Sequence, residues 1–244
     1  MEREESVRKI KQERLSWGME QHPPELLSPR PSAGVRLLAV LALLVTTTVA
    51  WGFPTSSNII PTADMLEVGS LRIEIENDGA PQLFGPAAES YMLLECAPHP
   101  RLELGVDLYS VGSSNDIVFN GKWLACPEKP GRPAVAVGCM ELGSGFSSST
   151  YLVATKDIGQ GLRLHFGGAA SAGSRAALFG VEKQIGEKDY LLADWASWAV
   201  GYSSLGIYHE IRPGVGVNLA YALPNTRSES NLVILNVAWT HPLR

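Results

Sequence analysis

Residue patterns that carry specific chemistry are scarce in this 244-residue sequence. It has three cysteines, Cys96, Cys126 and Cys139, an odd number without the C-x-x-C spacing that metal and redox sites use. Cys126 and Cys139 could face each other across one hairpin, but packing against apolar neighbours is the favoured interpretation. The sequence therefore predicts no disulfide framework and no metal or cofactor site.

Concentrated positive charge is also absent. The chain has 20 Lys and Arg against 25 Asp and Glu, which gives a formal net charge of −5. Nucleic-acid phosphates are bound by clustered cations, so nucleic acid is excluded as a predicted partner.

No established catalytic motif is present. The sequence has no G-x-S-x-G, no H-E-x-x-H, no P-loop and no glycine-rich loop between a strand and a helix. His165 and His209 lie in predicted strands, where only tertiary contacts could bring them a Ser or Asp partner. We therefore assign no catalytic residue and predict a protein that is not an enzyme.

No apolar run reaches the ~20 residues of a membrane-spanning helix. The longest uncharged stretch is residues 37–53, LLAVLALLVTTTVAWGF, which follows a basic flank. Its strongly apolar part, residues 37–45, fits the ~7–15 residues of a signal-peptide core, and a small-x-small site ends at Ala50. We predict a signal helix with export and cleavage near Ala50; an uncleaved membrane anchor is the alternative.

The predicted organisation has three parts. Residues 1–50 form an N-terminal extension with the signal segment, residues 51–65 a linker, and residues 66–244 a β-barrel domain. The stretch before the apolar run is long for a signal peptide, so Met19 is an alternative start to Met1.

From residue 66 onward the hydrophobicity has a period of two, which is typical of half-buried strands. The clearest examples are LRIEIE, RLELGVDLY, GLRLHF and GVGVNLAY, each with one wholly apolar face. Eight further stretches lie near residues 89–97, 117–125, 133–141, 149–156, 175–183, 190–196, 202–210 and 231–240. The sequence predicts an all-β fold, an up-and-down antiparallel barrel of about twelve strands.

The connections between these strands alternate in character. Even-numbered connections are compact, such as Pro98-His99-Pro100 and Arg212-Pro213, whereas odd-numbered ones are mostly longer or richer in Ser and Gly, such as GSGFSSS and PNTRSES. Outer-membrane barrels have short periplasmic turns and longer external loops. This alternation of compact and longer connections predicts a bacterial outer-membrane barrel with both termini in the periplasm. A soluble exported β-sandwich that binds a ligand is the chief alternative.

Aromatic residues recur towards the predicted strand ends, where membrane-interface girdles lie. They are Tyr91, Tyr109, Trp123, Tyr151, Tyr190, Trp195, Tyr202 and Trp239. Charged side chains on the opposite face of the strands would be costly against lipid but acceptable in a wet lumen. The predicted lumen-facing residues are Arg72, Glu74, Glu103, Asp107, Lys122, Arg163, His165 and Asp194.

Residues 161–221 also carry a family resemblance. The stretches GLRLHFGGA, LFGVEKQIGEKDYLLADW and SLGIYHEIRPGVGVNLAY resemble uncharacterised bacterial outer-membrane barrel proteins of the YjbH-like kind. The resemblance implies an outer-membrane location and an association with exopolysaccharide export, and it supplies no catalytic residues.

Together these observations predict an exported barrel with a structural or small-pore role and the lipid bilayer as its partner. Envelope or polysaccharide-export proteins are further possible partners. An outer-membrane lipid-modifying enzyme that uses a histidine on the barrel wall is the third hypothesis.

Overall fold

The computed structural model describes residues 56–79, 89–111, 114–143, 148–199 and 201–243. The predicted signal segment 37–53, the cleavage site near Ala50 and the two alternative starts, Met1 and Met19, lie outside these ranges. Within the described ranges, no helix is long and apolar enough to cross a membrane.

The described residues form twelve strands in a closed antiparallel barrel, in which each strand pairs with its neighbours in sequence and β1 pairs with β12. This confirms the predicted fold class. The strands are β1 (Ser70–Gly79), β2 (Glu89–His99), β3 (Leu102–Val111), β4 (Ser114–Cys126), β5 (Ala134–Leu142), β6 (Ser149–Gly159), β7 (Leu162–Ser171), β8 (Ser174–Gln184), β9 (Asp189–Ala196), β10 (Tyr202–Arg212), β11 (Val215–Pro224) and β12 (Leu232–Pro242).

Alternation of side chains gives the barrel two different surfaces. In β3 the acidic residue Glu103 is only 5% exposed, whereas the next residue, Leu104, is 45% exposed. Large apolar side chains are exposed in the same way on strands around the barrel, including Phe119, Leu152, Phe166, Phe179, Leu205, Ile207 and Leu219. A soluble protein rarely exposes so much contiguous apolar surface, whereas lipid covers it. The closed single sheet also rules out the soluble sandwich.

The two ends of the barrel differ in their connections. The end that holds Ser70 and Pro242, here called the turn end, has connections at residues 100–101, 127–133, 160–161, 185–188 and 213–214. The opposite end, here called the loop end, has connections at 80–88, 112–113, 143–148, 172–173, 197–201 and 225–231. The loop end has the longer connections on average, as the sequence predicted, although two of its connections have only two residues.

The aromatic positions correct one expectation. Tyr91 and Tyr109 pair with each other across β2 and β3 on the inward face, with ring centroids 4.8 Å apart. Tyr151 is also inward and only 7% exposed. Trp123 and Trp195 are 44% and 40% exposed and belong to the outer surface. Tyr190 and Tyr202 lie on inward positions of β9 and β10 as well. The proposed girdle is therefore wrong for these five tyrosines, because strand-end position does not specify the face of the sheet.

The three cysteines are free. In the hairpin of β4 and β5, Cys126 lies opposite Val135 and Cys139 lies opposite Gly121, so the two thiols do not face each other.

Candidate functional site

The structure places all eight predicted lumen-facing residues on inward positions of the strands. Seven of them are between 1% and 7% exposed, and the Arg163 side chain is 22% exposed. The registers show why they share one face: Arg72 lies opposite Glu95, Glu103 opposite Lys122, and Arg163 opposite Glu182. The lumen is therefore lined with charges, and the geometry of those charges defines the candidate site.

One charged network lies on the seam where β1 meets β12. The Arg72 guanidinium donates to Glu74 Oε2 from Nε at 2.9 Å and from Nη2 at 2.5 Å. Asn236 Nδ2 donates to Glu74 Oε1 at 2.6 Å and to Glu76 Oε2 at 2.7 Å. Buried charges are tolerated when they are paired and hydrogen-bonded in this way.

A second pair lies on β3 and β4. Lys122 Nζ is 2.9 Å from Glu103 Oε1, with both side chains no more than 6% exposed. Further towards the loop end, Asn120 Nδ2 donates to Asp107 Oδ2 at 2.5 Å. Glu103 also has a second partner, which comes from outside the sheet.

That partner belongs to residues 56–68, which precede β1 and which we call the lumen segment. Ser57, Asn58, Ile60, Thr62 and Ala63 are each 7% exposed or less, and Leu66 is 3% exposed. The segment begins with a reverse turn in which Ser57 N–H donates to the Ile60 carbonyl at 2.9 Å. A stretch expected to be a linker is thus packed inside the barrel.

The turn of the lumen segment contacts β9, β10 and β11. Asn58 Nδ2 donates to Ser204 Oγ at 2.8 Å and to the Leu192 carbonyl at 3.3 Å. Asn218 Nδ2 donates to Asn58 Oδ1 at 3.0 Å. Ile59 N–H donates to Asp194 Oδ2 at 3.0 Å, so this buried carboxylate accepts a hydrogen bond from the segment's backbone.

The other half of the segment contacts different strands. Ala63 N–H donates to Thr155 Oγ1 on β6 at 2.9 Å, and Thr155 Oγ1 is in turn 2.9 Å from His165 Nδ1 on β7. Leu66 N–H donates to Glu103 Oε2 on β3 at 2.9 Å. Because these strands lie across the lumen from β10 and β11, the segment bridges the interior of the barrel.

An ion-pair cluster fixes the segment near the turn end. Arg163 pairs with Asp64 of the segment and lies 3.6 Å from Glu128 in the connection between β4 and β5. Lys156 Nζ is 2.8 Å from Glu128 Oε1. Partial burial alone would raise the pKa of Glu128, but hydrogen bonds from Lys156 and from the Asp157 backbone lower it below its ordinary value.

Two glycines on the wall make room for the segment. A Cβ at Gly206 would lie 2.5 Å from Asn58 Oδ1, and a Cβ at Gly180 would lie 2.9 Å from Ile60 Cδ1. The space left between the turn and the β1, β11 and β12 wall is a cavity of about 10 Å³, which is room for roughly one water molecule. Beside this part of the wall the segment leaves little open space.

Sequence reasoning missed the partners Asn58, Asp64, Thr155 and Ser204. Asn58 and Asp64 lie in a stretch without strand periodicity, and only tertiary packing reveals that its polar groups match those of the wall. His209 lies outside the lumen, where its Nδ1 is 2.8 Å from Asp189 Oδ1 and both side chains are more than 40% exposed. Among the residues described here, no group of three or more His, Cys, Asp or Glu side chains could hold a metal ion.

Comparison by sequence finds no matching family model and no matching curated protein. Comparison by structure finds outer-membrane barrels. The KdgM porin is similar with a TM-score of 0.54 at 8% identity, over 69% of this chain and 98% of that one. The KdgM porin in complex with disordered oligogalacturonate gives 0.55 at 7% identity, over 69% and 98%. An outer-membrane channel from Pseudomonas putida F1 gives 0.50 at 9% identity, over 73% and 98%.

These likenesses agree with the strand count and closure described above. The exposed apolar surface and the barrel fold together support the predicted outer-membrane location. The chain has the fold of small outer-membrane porins and channels.

Proposed function

We propose that this protein is an outer-membrane barrel that forms a small pore. The main support for this proposal is the contrast between the two surfaces of the barrel. Apolar side chains are exposed on the outside, and paired charges line the inside. Lipid solvates the first surface, and the second is suited to water and polar solutes. A pore role is preferred to a purely structural one because the inside of the closed barrel is lined with charged and polar side chains that water can solvate.

The charge of the wall indicates the class of solute. The inward cations Arg72, Lys122 and Arg163 are outnumbered by inward carboxylates, which include Glu74, Glu76, Asp78, Glu95, Glu103, Asp107, Glu182 and Asp194. The KdgM porin has been seen with oligogalacturonate, a polyanion. An acidic wall repels such a chain, so we propose neutral or cationic solutes here.

A finer assignment rests on the resemblance of residues 161–221 to YjbH-like proteins. It suggests a place near exopolysaccharide export, with envelope proteins as partners. We propose this association as secondary to the pore, because no described contact depends on it.

A catalytic role has less support. His165 is 1% exposed and is hydrogen-bonded to Thr155, which favours a structural imidazole over a reactive one. The non-enzymatic proposal predicts that the wild type modifies no lipid. A lipid-modifying activity that is lost when His165 and His209 are replaced with Gln would contradict it and support the enzyme hypothesis.

The barrel proposal is tested by membrane fractionation and heat modifiability. Closed barrels stay folded in detergent at room temperature and migrate differently from the boiled chain. We expect the protein to stay with the outer-membrane fraction after carbonate washing and to shift its gel mobility on boiling. A protein that washes off and migrates identically before and after boiling is not a membrane barrel.

A further inference from the structure

The lumen segment is not needed to complete the sheet. The twelve strands close on each other through the pairing of β1 with β12, and no strand of the ladder includes residues 56–68. The segment's one regular feature is an isolated bridge within itself, between Ser56 and Pro61. Removing the segment therefore leaves the backbone hydrogen bonds of the barrel in place.

The wall holds the segment partly through its backbone. Three N–H groups, those of Ile59, Ala63 and Leu66, donate to oxygens of Asp194, Thr155 and Glu103. Carboxylates that accept backbone N–H groups form charge-assisted hydrogen bonds, which are stronger than those between neutral groups. Side-chain acceptors of this kind can bind a peptide whose N–H groups lie at the matching positions.

Side chains of the segment fix its position in the lumen and form an ion pair with the wall. Asn58 occupies the space opposite Gly206, Ile60 occupies the space opposite Gly180, and Asp64 pairs with Arg163. An Asp at position 64 meets the one inward cation of β7, so the ion pair sets the register of the segment along the lumen.

From these contacts we infer that the lumen wall is a binding site for a peptide, and that residues 56–68 occupy it as a plug that closes the pore. This inference rests on the proposed pore function. The plug is held by a limited set of hydrogen bonds, one ion pair and three buried apolar side chains, Ile60, Ala63 and Leu66. Its release exchanges these contacts for water without breaking the sheet.

The first experiment deletes residues 56–65 from the otherwise full chain and records conductance in planar bilayers. We expect low conductance from the wild type and a rise of about tenfold or more from the deletion variant, because the filled cross-section becomes open. A synthetic peptide of residues 56–65 added to the turn end should close the variant again. The same peptide with Asp64→Arg is the matched control and should block much less.

The second experiment keeps the chain length and reverses one charge. Asp64→Arg places two cations together and should raise conductance, whereas Asp64→Glu keeps the pair and should leave the pore closed. The double variant Asp64→Arg with Arg163→Asp restores an attractive pair and should return conductance towards the wild-type level. These substitution variants test the plug even if the deletion variant fails to fold.

Heat modifiability separates the two proposals. Variants that show the mobility shift but conduct no more than the wild type would overturn the plug and leave the barrel intact. A wild type that already conducts as freely as the deletion variant would overturn the plug as well. Absence of the mobility shift in the wild type would instead contradict the membrane barrel itself.

Discussion

At the scale of single residues, the stability of the barrel depends on how its buried charges are compensated. The pair of Lys122 and Glu103 is at most 6% exposed, whereas the pair of Lys156 and Glu128 is 25% exposed at both side chains. Water screens the second pair but not the first. The same chemical contact is therefore expected to contribute very differently at the two positions.

Removing the buried cation tests this difference. Lys122→Met leaves the Glu103 carboxylate buried without its ion-pair partner and should lower the free energy of unfolding by roughly 3–5 kcal/mol. Lys156→Met, the matched control, should cost at most about 1 kcal/mol. Denaturant unfolding of both variants in lipid vesicles gives the comparison, and equal losses would contradict the assignment.

At the scale of elements, adjacent strands are packed by tyrosine rings that lie over glycines. Tyr151 on β6 is directly opposite Gly138 on β5, and a Cβ at Gly138 would lie 2.3 Å from the ring. Tyr208 on β10 is opposite Asn218, but its ring lies over the diagonal neighbour Gly216 on β11, where a Cβ would lie 2.1 Å from the Tyr208 hydroxyl. A side chain in place of either glycine would displace a ring into the lumen.

The close contact between Tyr151 and Gly138 predicts that alanine destabilises the barrel at Gly138 but not at Gly121. Gly138→Ala should destabilise the barrel by roughly 1–3 kcal/mol, because a Cβ there would lie 2.3 Å from the Tyr151 ring and 2.6 Å from the Gly121 carbonyl oxygen. Gly121→Ala is the control, since a Cβ there meets only Cys139 Sγ at an ordinary 3.7 Å. Thermal loss of heat modifiability measures both. If Gly138→Ala is as stable as Gly121→Ala, the ring contact does not contribute.

The strands and the lumen segment differ in how well the sequence predicts them. Period-two hydrophobicity located all twelve strands, because each strand has one face against lipid and one against the lumen. It could not show that residues 56–65 lie inside the barrel, because Asn58, Asp64 and their partners are more than ninety positions apart in the chain. The inward face of Tyr151 likewise depends on the register between strands, which the sequence does not display.

At the scale of the whole barrel, the lumen has unequal charge along its length. The inward cations Arg72, Lys122 and Arg163 lie on the turn-end halves of β1, β4 and β7, whereas Glu76, Asp78 and Asp107 lie closer to the loop end. A solute that enters from the loop end therefore meets carboxylates first. Such a wall raises the local concentration of cations.

Ion selectivity measures this charge. In a KCl gradient, the variant that lacks residues 56–65 should show a reversal potential that favours cations. Adding Glu76→Gln and Asp107→Asn should bring the permeability ratio closer to unity, whereas Glu187→Gln, in the connection between β8 and β9, should not. Anion preference in the parent deletion variant would contradict the proposed solute class.

The pairing of β1 with β12 has a consequence for how the protein is assembled. Its register joins Ser70 to Pro242, the greatest separation along the chain of any strand pair in the barrel, so closing this seam carries the largest loop-closure entropy. The lumen segment is continuous with β1. One of the two strands of this seam therefore carries the occupant of the lumen, so we expect sealing of the barrel and filling of its interior to be coupled.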